Sequence, residues 1–296
     1  MAGGVRMNPE SVKPLMPEGS ADTTPSDAET SVVSAAKNIK HFRAANGRLL
    51  TIETLCDTTV SPLSAAKDAA ARGTSEGYAV FMPLILPKKE SDGLRVASNE
   101  TEADAFHLCL LLRPVIAAQK AILLTALAAV AALRSIQKYT RAQLDIHWVN
   151  DIYAGSKHVC AIQTEGALNS SAHFNYVIAD FYVKLPRRLF NRTLADLIYQ
   201  VFSERNESLS AQIAADMMTE FFALYEEIAR PSSFLPEYRK YVLLGRKHIR
   251  ILQNGKARRG RIIGIDDNAH LLVQIGASVK TVYSSGELAA RKHSSG

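Results

Sequence analysis

The chain has 296 residues, 35 Lys and Arg against 29 Asp and Glu, a formal charge of +6, 47% hydrophobic residues and a mean hydropathy of -0.03. That profile is of an ordinary globular protein and excludes wholesale disorder, collagen and a membrane bundle. Cys56, Cys109 and Cys160 stand roughly fifty residues apart with no metal spacing, which argues against a disulfide framework or zinc ribbon and for a reducing compartment.

Residues 1–31 carry Pro, Ser, Thr, Asp and scattered charges with no apolar h-region, so the expectation is a cytoplasmic protein with a disordered leader and no signal peptide. The tail is expected over 1–45, ending in a short helix over 34–43, with order beginning near Arg48. Leu49 to Ile52 reads as a strand, and Cys56-Asp57-Thr58-Thr59 as a loop capping a helix over 62–72, supported by Pro62 in its first turn and an alanine-rich run. Gly73 and Gly77 end that helix before a strand over 78–82.

Residues 87–104 form a polar stretch, a candidate active-site or lid loop, and are followed by a strand over 106–112. Pro114 opens a long helix to about Gln137. Its apolar run over 121–133 falls short of the ~20 residues needed to span a bilayer and reads as a buried core helix. Strands over 144–148 and 159–164 make a hairpin around 153–157, another strand covers 176–184, and helices follow over 194–204 and 208–228. After Pro236 short strands over 247–252, 258–265, 271–275 and 280–283, separated by Asn254-Gly255, Asp266-Asp267-Asn268 and Gly276, describe a small β-barrel or sandwich.

Charge is unevenly distributed. Residues 238–296 hold 12 Lys and Arg against 3 Asp and Glu, a net of +9, which leaves -3 for the rest. A basic C-terminal module on a mildly acidic body suits nucleic acid, nucleotide phosphate or an acidic protein partner, or is plain solvated charge. The basic residues are not interleaved with aromatics and match no nucleic-acid motif, which argues against nucleic acid.

One segment carries a family resemblance. His147-Trp148-Val149-Asn150-Asp151-Ile152-Tyr153, followed by Lys157-His158-Val159-Cys160-Ala161-Ile162-Gln163-Thr164-Glu165, resembles the central signature of biotin-protein ligases. There the run is Lys-Trp-(Pro/Val)-Asn-Asp-(Ile/Leu)-Tyr, a turn, then Lys-Lys-(Val/Leu)-(Cys/Ala)-Gly-Ile-Leu-(Thr/Val)-Glu. Asp57-Thr58-Thr59 is similar to the family's Asp-Ser-Thr-Asn loop, and Leu110-Leu111-Leu112-Arg113-Pro114 to its strand-to-helix junction. Tyr238-Arg239-Lys240, Leu244-Gly245-Arg246, Gly264-Ile265-Asp266, Leu271-Leu272-Val273 and Ser284-Ser285-Gly286-Glu287 are similar to its closing barrel. Residues 1–45 are too short and too polar for the helix-turn-helix of the family's repressor members, so no repressor role is expected.

The resemblance implies an α/β (α+β) fold: a mixed sheet with helices packed on one face over 46–236, then a small β-barrel over 237–296. It implies ATP- and Mg²⁺-dependent activation of biotin to biotinyl-AMP, with transfer to a lysine of a biotin carboxyl carrier protein or carboxylase carrier domain. It also implies edge pairing into a homodimer, and no membrane. By the same resemblance Asp151, Lys157 and His147 occupy catalytic positions, Asp151 also the metal position, and Thr58, Thr59, Lys89, Gly93, Arg95, Trp148 and Asn150 ligand-binding ones.

Several of these positions depart from the family pattern. The phosphate loop keeps only Gly93 of three glycines, Ile85 replaces a glutamine, Val60 an asparagine, and His147 the signature lysine. Histidine, with an ordinary pKa of about 6.5, supplies less charge at pH 7 than lysine. Ala179-Asp180-Phe181-Tyr182-Val183 occupies the place of Gly-Ile-Gly-Ile-Asn, so Phe181 is expected to put a ring where backbone approaches ligand. Two other readings therefore stand beside the biotin ligase: a non-catalytic binding or regulatory module on the ligase fold, and a ligase for another acid such as lipoate or octanoate. Cys109 and Cys160 have no activating neighbours in sequence and read as packing.

Overall fold

The structure, a computed structural model, describes residues 38–44, 46–57, 59–85, 103–171, 173–186, 209–245, 248–253, 256–283 and 287–288. Eight strands form the main sheet: β1 (Asn38–Arg43), β2 (Leu49–Thr54), β3 (Tyr78–Ile85), β4 (Ala103–Leu112), β5 (Leu144–His147), β6 (Asp151–Ala154), β7 (Lys157–Leu168) and β8 (Phe174–Pro186). Their order is β1-β2-β3-β4-β8-β7-β6-β5. Only β2 and β3 pair in parallel, joined by helix α1 (Pro62–Ala71); the other neighbours are antiparallel. A parallel pair needs such a crossover, and the Ala-rich segment supplies it, capped by Ser61, whose hydroxyl accepts from Ser64 N.

Residues 38–43, expected in a helix over 34–43, instead form strand β1. Its partner is β2, with Arg43 opposite Leu49. The overlooked signal is Asn46-Gly47: Gly47 takes φ +82°, and Gly47 N donates to Ala44 O at 2.8 Å, folding the chain straight back. The expected hairpin over 144–164 has three strands, because residues 148–150 make a turn of their own between β5 and β6. The helix expected over 194–204 lies outside the described residues.

Alternation along the central strands sends apolar side chains to one face: Phe106, Leu108, Leu110 and Leu112 on β4, and Val177, Ala179, Phe181, Val183 and Leu185 on β8. On that face lie α2 (Ala121–Gln137), α3 (Leu209–Tyr225) and α4 (Leu235–Gly245). Because α2 is enclosed by the sheet and the other two helices, it is buried on nearly every side. Its buried polar groups are satisfied locally: Thr125 Oγ1 shares a hydrogen bond with Thr164 Oγ1 at 2.6 Å, and Ser135 Oγ donates to Ala131 O at 2.9 Å. No described helix is long and apolar enough to cross a membrane.

The opposite face has a smaller apolar patch, where Ala66 and Ala70 of α1 sit on Val80, Cys109, Leu111 and Ile178. Past α4, strands β9 (His248–Gln253), β10 (Lys256–Ile265), β11 (Leu271–Ile275) and β12 (Ser278–Val282) form an antiparallel sheet in the order β12-β11-β10-β9. These are the strands expected of the small barrel. Their inner side chains, Ile251, Ile265, Leu271, Val273 and Val282, join the same core as α4.

Candidate functional site

Register brings the polar residues together. Pairing runs from Met82 to His107, Tyr182, Ala161, Asp151 and His147, one residue from each of β3, β4, β8, β7, β6 and β5. Cross-strand partners share a face, so these residues line one transverse row on the side away from α2, α3 and α4. At ~4.8 Å per strand the row is about 24 Å long. Leu55 N donates to Phe81 O at 2.8 Å, which brings the loop holding Asp57 and Thr59 to the β3 end of the row.

Three carboxylates on this face each meet a histidine. His147 Nε2 lies 3.2 Å from Asp145 Oδ2, His158 Nε2 is 3.4 Å from Asp151 Oδ1, and His107 Nδ1 is 3.3 Å from Asp180 Oδ1. Tyr153 stands between two of the pairs, its ring 3.9 Å from that of His147 and 4.9 Å from that of His158. His158 Nε2 is buried without a hydrogen bond among the described residues. Burial pushes the Asp145 carboxyl above the usual carboxylate range.

Cys109 Sγ donates to Asp180 Oδ1 at 3.3 Å, and burial, with the Asp180 charge adding to it, drives that thiol well up. Burial does the same to Cys160. Neither is poised to form a thiolate, so both are packing residues, as the sequence implied.

The turn between β5 and β6 is held from two sides. Trp148 Nε1 donates to Ala269 O at 2.9 Å, and Tyr238 Oη donates to Val149 O at 3.0 Å, tying the turn to the small sheet and to α4. Asn150 Nδ2 donates to Ile162 O at 2.5 Å, fixing the turn against β7. Ala269 itself has φ +66°, in a loop where Asp266 accepts from the backbone N–H groups of Asn268 and His270 and lies 2.9 Å from His270 Nδ1. Burial raises the Asp266 carboxyl, but the His270 and Asn268 hydrogen bonds outweigh it and leave the carboxyl below its ordinary range.

His147, Trp148, Asn150 and Asp151 are thus brought together at the β5–β6 end. Of these, Trp148 and Asn150 hold the turn, whereas His147 and Asp151 lie in the row. Thr59 sits at the other end, where its N–H and hydroxyl both donate to Asp57 Oδ1, at 2.8 and 2.7 Å, and keep that carboxyl low. Lys157 pairs with Ala154, whose side chain belongs to the helix-side core, while its neighbour His158 pairs with Tyr153 and joins the polar cluster. Thr58, Lys89, Gly93 and Arg95 lie outside the described residues.

The expectation for Phe181 needs correction. Its ring is fully buried on the helix side, edge-on to Phe221 at 6.5 Å, so its neighbours Asp180 and Tyr182 are the ones that reach the polar face. Sequence reasoning missed His107, Asp180, Tyr182, Tyr153 and His158. The alternation Ile178-Ala179-Asp180-Phe181-Tyr182-Val183 carried the signal for two of them, since a polar group recurs with the period of a strand.

No protein-family model matches the chain. Among curated proteins it is similar to the bifunctional ligase/repressor BirA of Bacillus subtilis, 26% identical over 248 residues, which cover 77% of this chain and 71% of BirA. The BirA of Bacillus spizizenii matches with the same identity and coverage. The biotin protein ligase of Aquifex aeolicus shares the fold at a TM-score of 0.52, with 14% identity over 76% of this chain and 93% of that one. The chain thus resembles biotin-protein ligases in sequence and has their fold.

A biotin-protein-ligase-like protein of unknown function from Silicibacter sp. shares the fold at a TM-score of 0.56, with 10% identity and coverage of 81% and 97%. Against the biotin-protein ligase pattern, the lysine of Lys-Trp falls on His147, and the second lysine of the Lys-Lys pair falls on His158. Both substituted positions flank Tyr153. The departures from that pattern thus gather at one end of the row.

Proposed function

We propose that the polar row binds biotin and ATP and joins them. A biotin carboxylate oxygen attacks the α-phosphorus, the bond to the β-phosphate oxygen breaks, and pyrophosphate leaves. A carrier lysine amine then attacks the acyl carbon, loses its proton, and releases AMP. The observation that carries this reading is the single row running from the Asp57–Thr59 loop to Asp151 and His147.

In this reading Thr59 and Thr58 hold the head of the acid, and His147 and His158 face the phosphates from either side of Tyr153. Lys89, Gly93 and Arg95 add phosphate contacts. Ala161 places only a methyl group between Tyr182 and Asp151. Among the described residues no group of three or more His, Cys, Asp or Glu is suited to hold a metal. Mg²⁺, however, takes one or two carboxylates and completes its shell with substrate phosphates and water, and Asp151 fits that mode. When bound, Mg²⁺ neutralises phosphate charge in the first step.

A second reading, the non-catalytic binding module, is favoured by one observation: imidazoles that face carboxylates replace two permanently charged lysines. Pyrophosphate release with ATP, Mg²⁺ and biotin, beside lipoate and octanoate controls, separates the readings. Release with biotin supports the biotin ligase, and release only with a control acid reassigns the substrate. No release from folded protein leaves the binding module. If the ligase reading holds, His147→Lys raises the rate.

A further inference from the structure

The small sheet has an outer face that plays no part in the row. On it Arg250 pairs with Arg259, His248 with Arg261, Arg261 with Gln274 and Gln274 with Val279, while Leu252 pairs with Ala257. The alternate residues Ile251 and Gly260 point inward and are buried; a Cβ on Gly260 would clash with the Val273 side chain. Arg250, Arg259, Arg261 and His248 are exposed, as are Leu252 and Val279 at the margins. Two arginines directly across a ladder repel each other and weaken the sheet. Among the described residues none of the three arginines enters an ion pair; Arg261 donates only to Gln274 Oε1, at 3.0 Å.

We propose that this arginine face is a docking surface for an acidic folded protein domain, which on the ligase reading above is the carrier that receives the acyl group. Charge complementarity selects the sign: the face concentrates like charge, whereas the row has three carboxylates. The apolar margins select a protein over a nucleic acid, since neither a groove-entering element nor interleaved aromatics accompany the arginines. Three strand spacings by four residues give a patch about 14 Å on a side. That is far below the ~800 Å² per partner of a stable complex, so docking is transient and salt-sensitive, as a carrier that must leave after each transfer requires.

The test compares the full-length chain with Arg250→Glu/Arg259→Glu/Arg261→Glu, and with the milder triple Gln variant as a folding control. The probe is an apo carrier domain of net negative charge. Carrier-independent pyrophosphate release is expected to be the same in all three proteins. The KM for the carrier is expected to rise at least tenfold in the Glu variant and less in the Gln variant, with kcat unchanged, and the wild-type KM to rise with salt. An unchanged carrier KM in the Glu variant, or a loss confined to binding of a DNA duplex, overturns the docking surface while leaving the ligase reading intact. Absence of pyrophosphate release in the wild type removes the ligase reading instead. Direct titration of the labelled carrier domain then decides the surface alone: tenfold weaker binding by the Glu variant supports it, and equal binding overturns it.

Discussion

The two faces of the eight-stranded sheet are made by the same strands and differ in almost every physical respect. On β8, Ala179, Phe181 and Val183 are sealed under three helices, while Asp180 and Tyr182, one residue out of phase, belong to a polar face that α1 covers only in part. One face is built for stability, so its residues are replaceable by anything apolar of the right volume. The other collects carboxylates and imidazoles whose burial costs free energy, and on the function proposed above that cost is met by what the face binds. A strand alternating between core and site lets one register fix both.

Substitutions sharpen this contrast, beginning with the most disruptive. Phe181→Ala is expected to lower the free energy of unfolding by about 3–5 kcal/mol in urea melts, because it opens a cavity in the core; a loss under ~1 kcal/mol would place the ring on the polar face after all. Ala161→Leu, in the middle of the row, is expected to change stability little and to abolish biotin-dependent pyrophosphate release, so the two variants break different properties.

Trp148→Phe keeps the bulk of the ring but leaves the buried Ala269 carbonyl without its donor, an expected cost of about 1–3 kcal/mol. Because the indole anchors the turn that carries Asp151, a rise in KM for ATP is expected with it.

Two aspartates are expected to respond to pH with opposite sign. Asp266 has a lowered carboxyl, so its contribution is present above the ordinary value of 3.8 and is lost as pH falls through the folded-state value. Asp266→Asn is therefore expected to be less stable than wild type at pH 7, with the difference closing below about pH 4. Asp145 is raised by burial, so folding favours its protonated form, and stability falls as pH rises through its folded-state value. Asp145→Asn is expected to raise Tm slightly at pH 7 and not at acidic pH; a lower Tm at pH 7 would show that the contact with His147 outweighs the burial.

Much of the architecture could be read from the sequence because it rests on short-range signals. Pro62 and the alanines of α1, the apolar run of α2, broken only by Thr125 over 121–133, and the turn residues between β9 and β12 each declare their element locally. The site was legible where residues adjoin in sequence, as in 147–151, and illegible where it depends on pairing between distant strands. His107 and Tyr182 are 75 residues apart and meet only because β4 pairs with β8 in that register. The choice between Lys157 and His158 likewise turned on a bulge in β7, an irregularity that no pattern of residue types announces.

The bond from Trp148 to Ala269 has one more consequence. Trp148 is the chain's single tryptophan, so the native protein has one indole fluorophore, and it is buried at the junction between the site turn and the small sheet. Its emission reports on that junction alone, with no label: any event that parts the turn from the small sheet wets the indole and shifts its emission to the red.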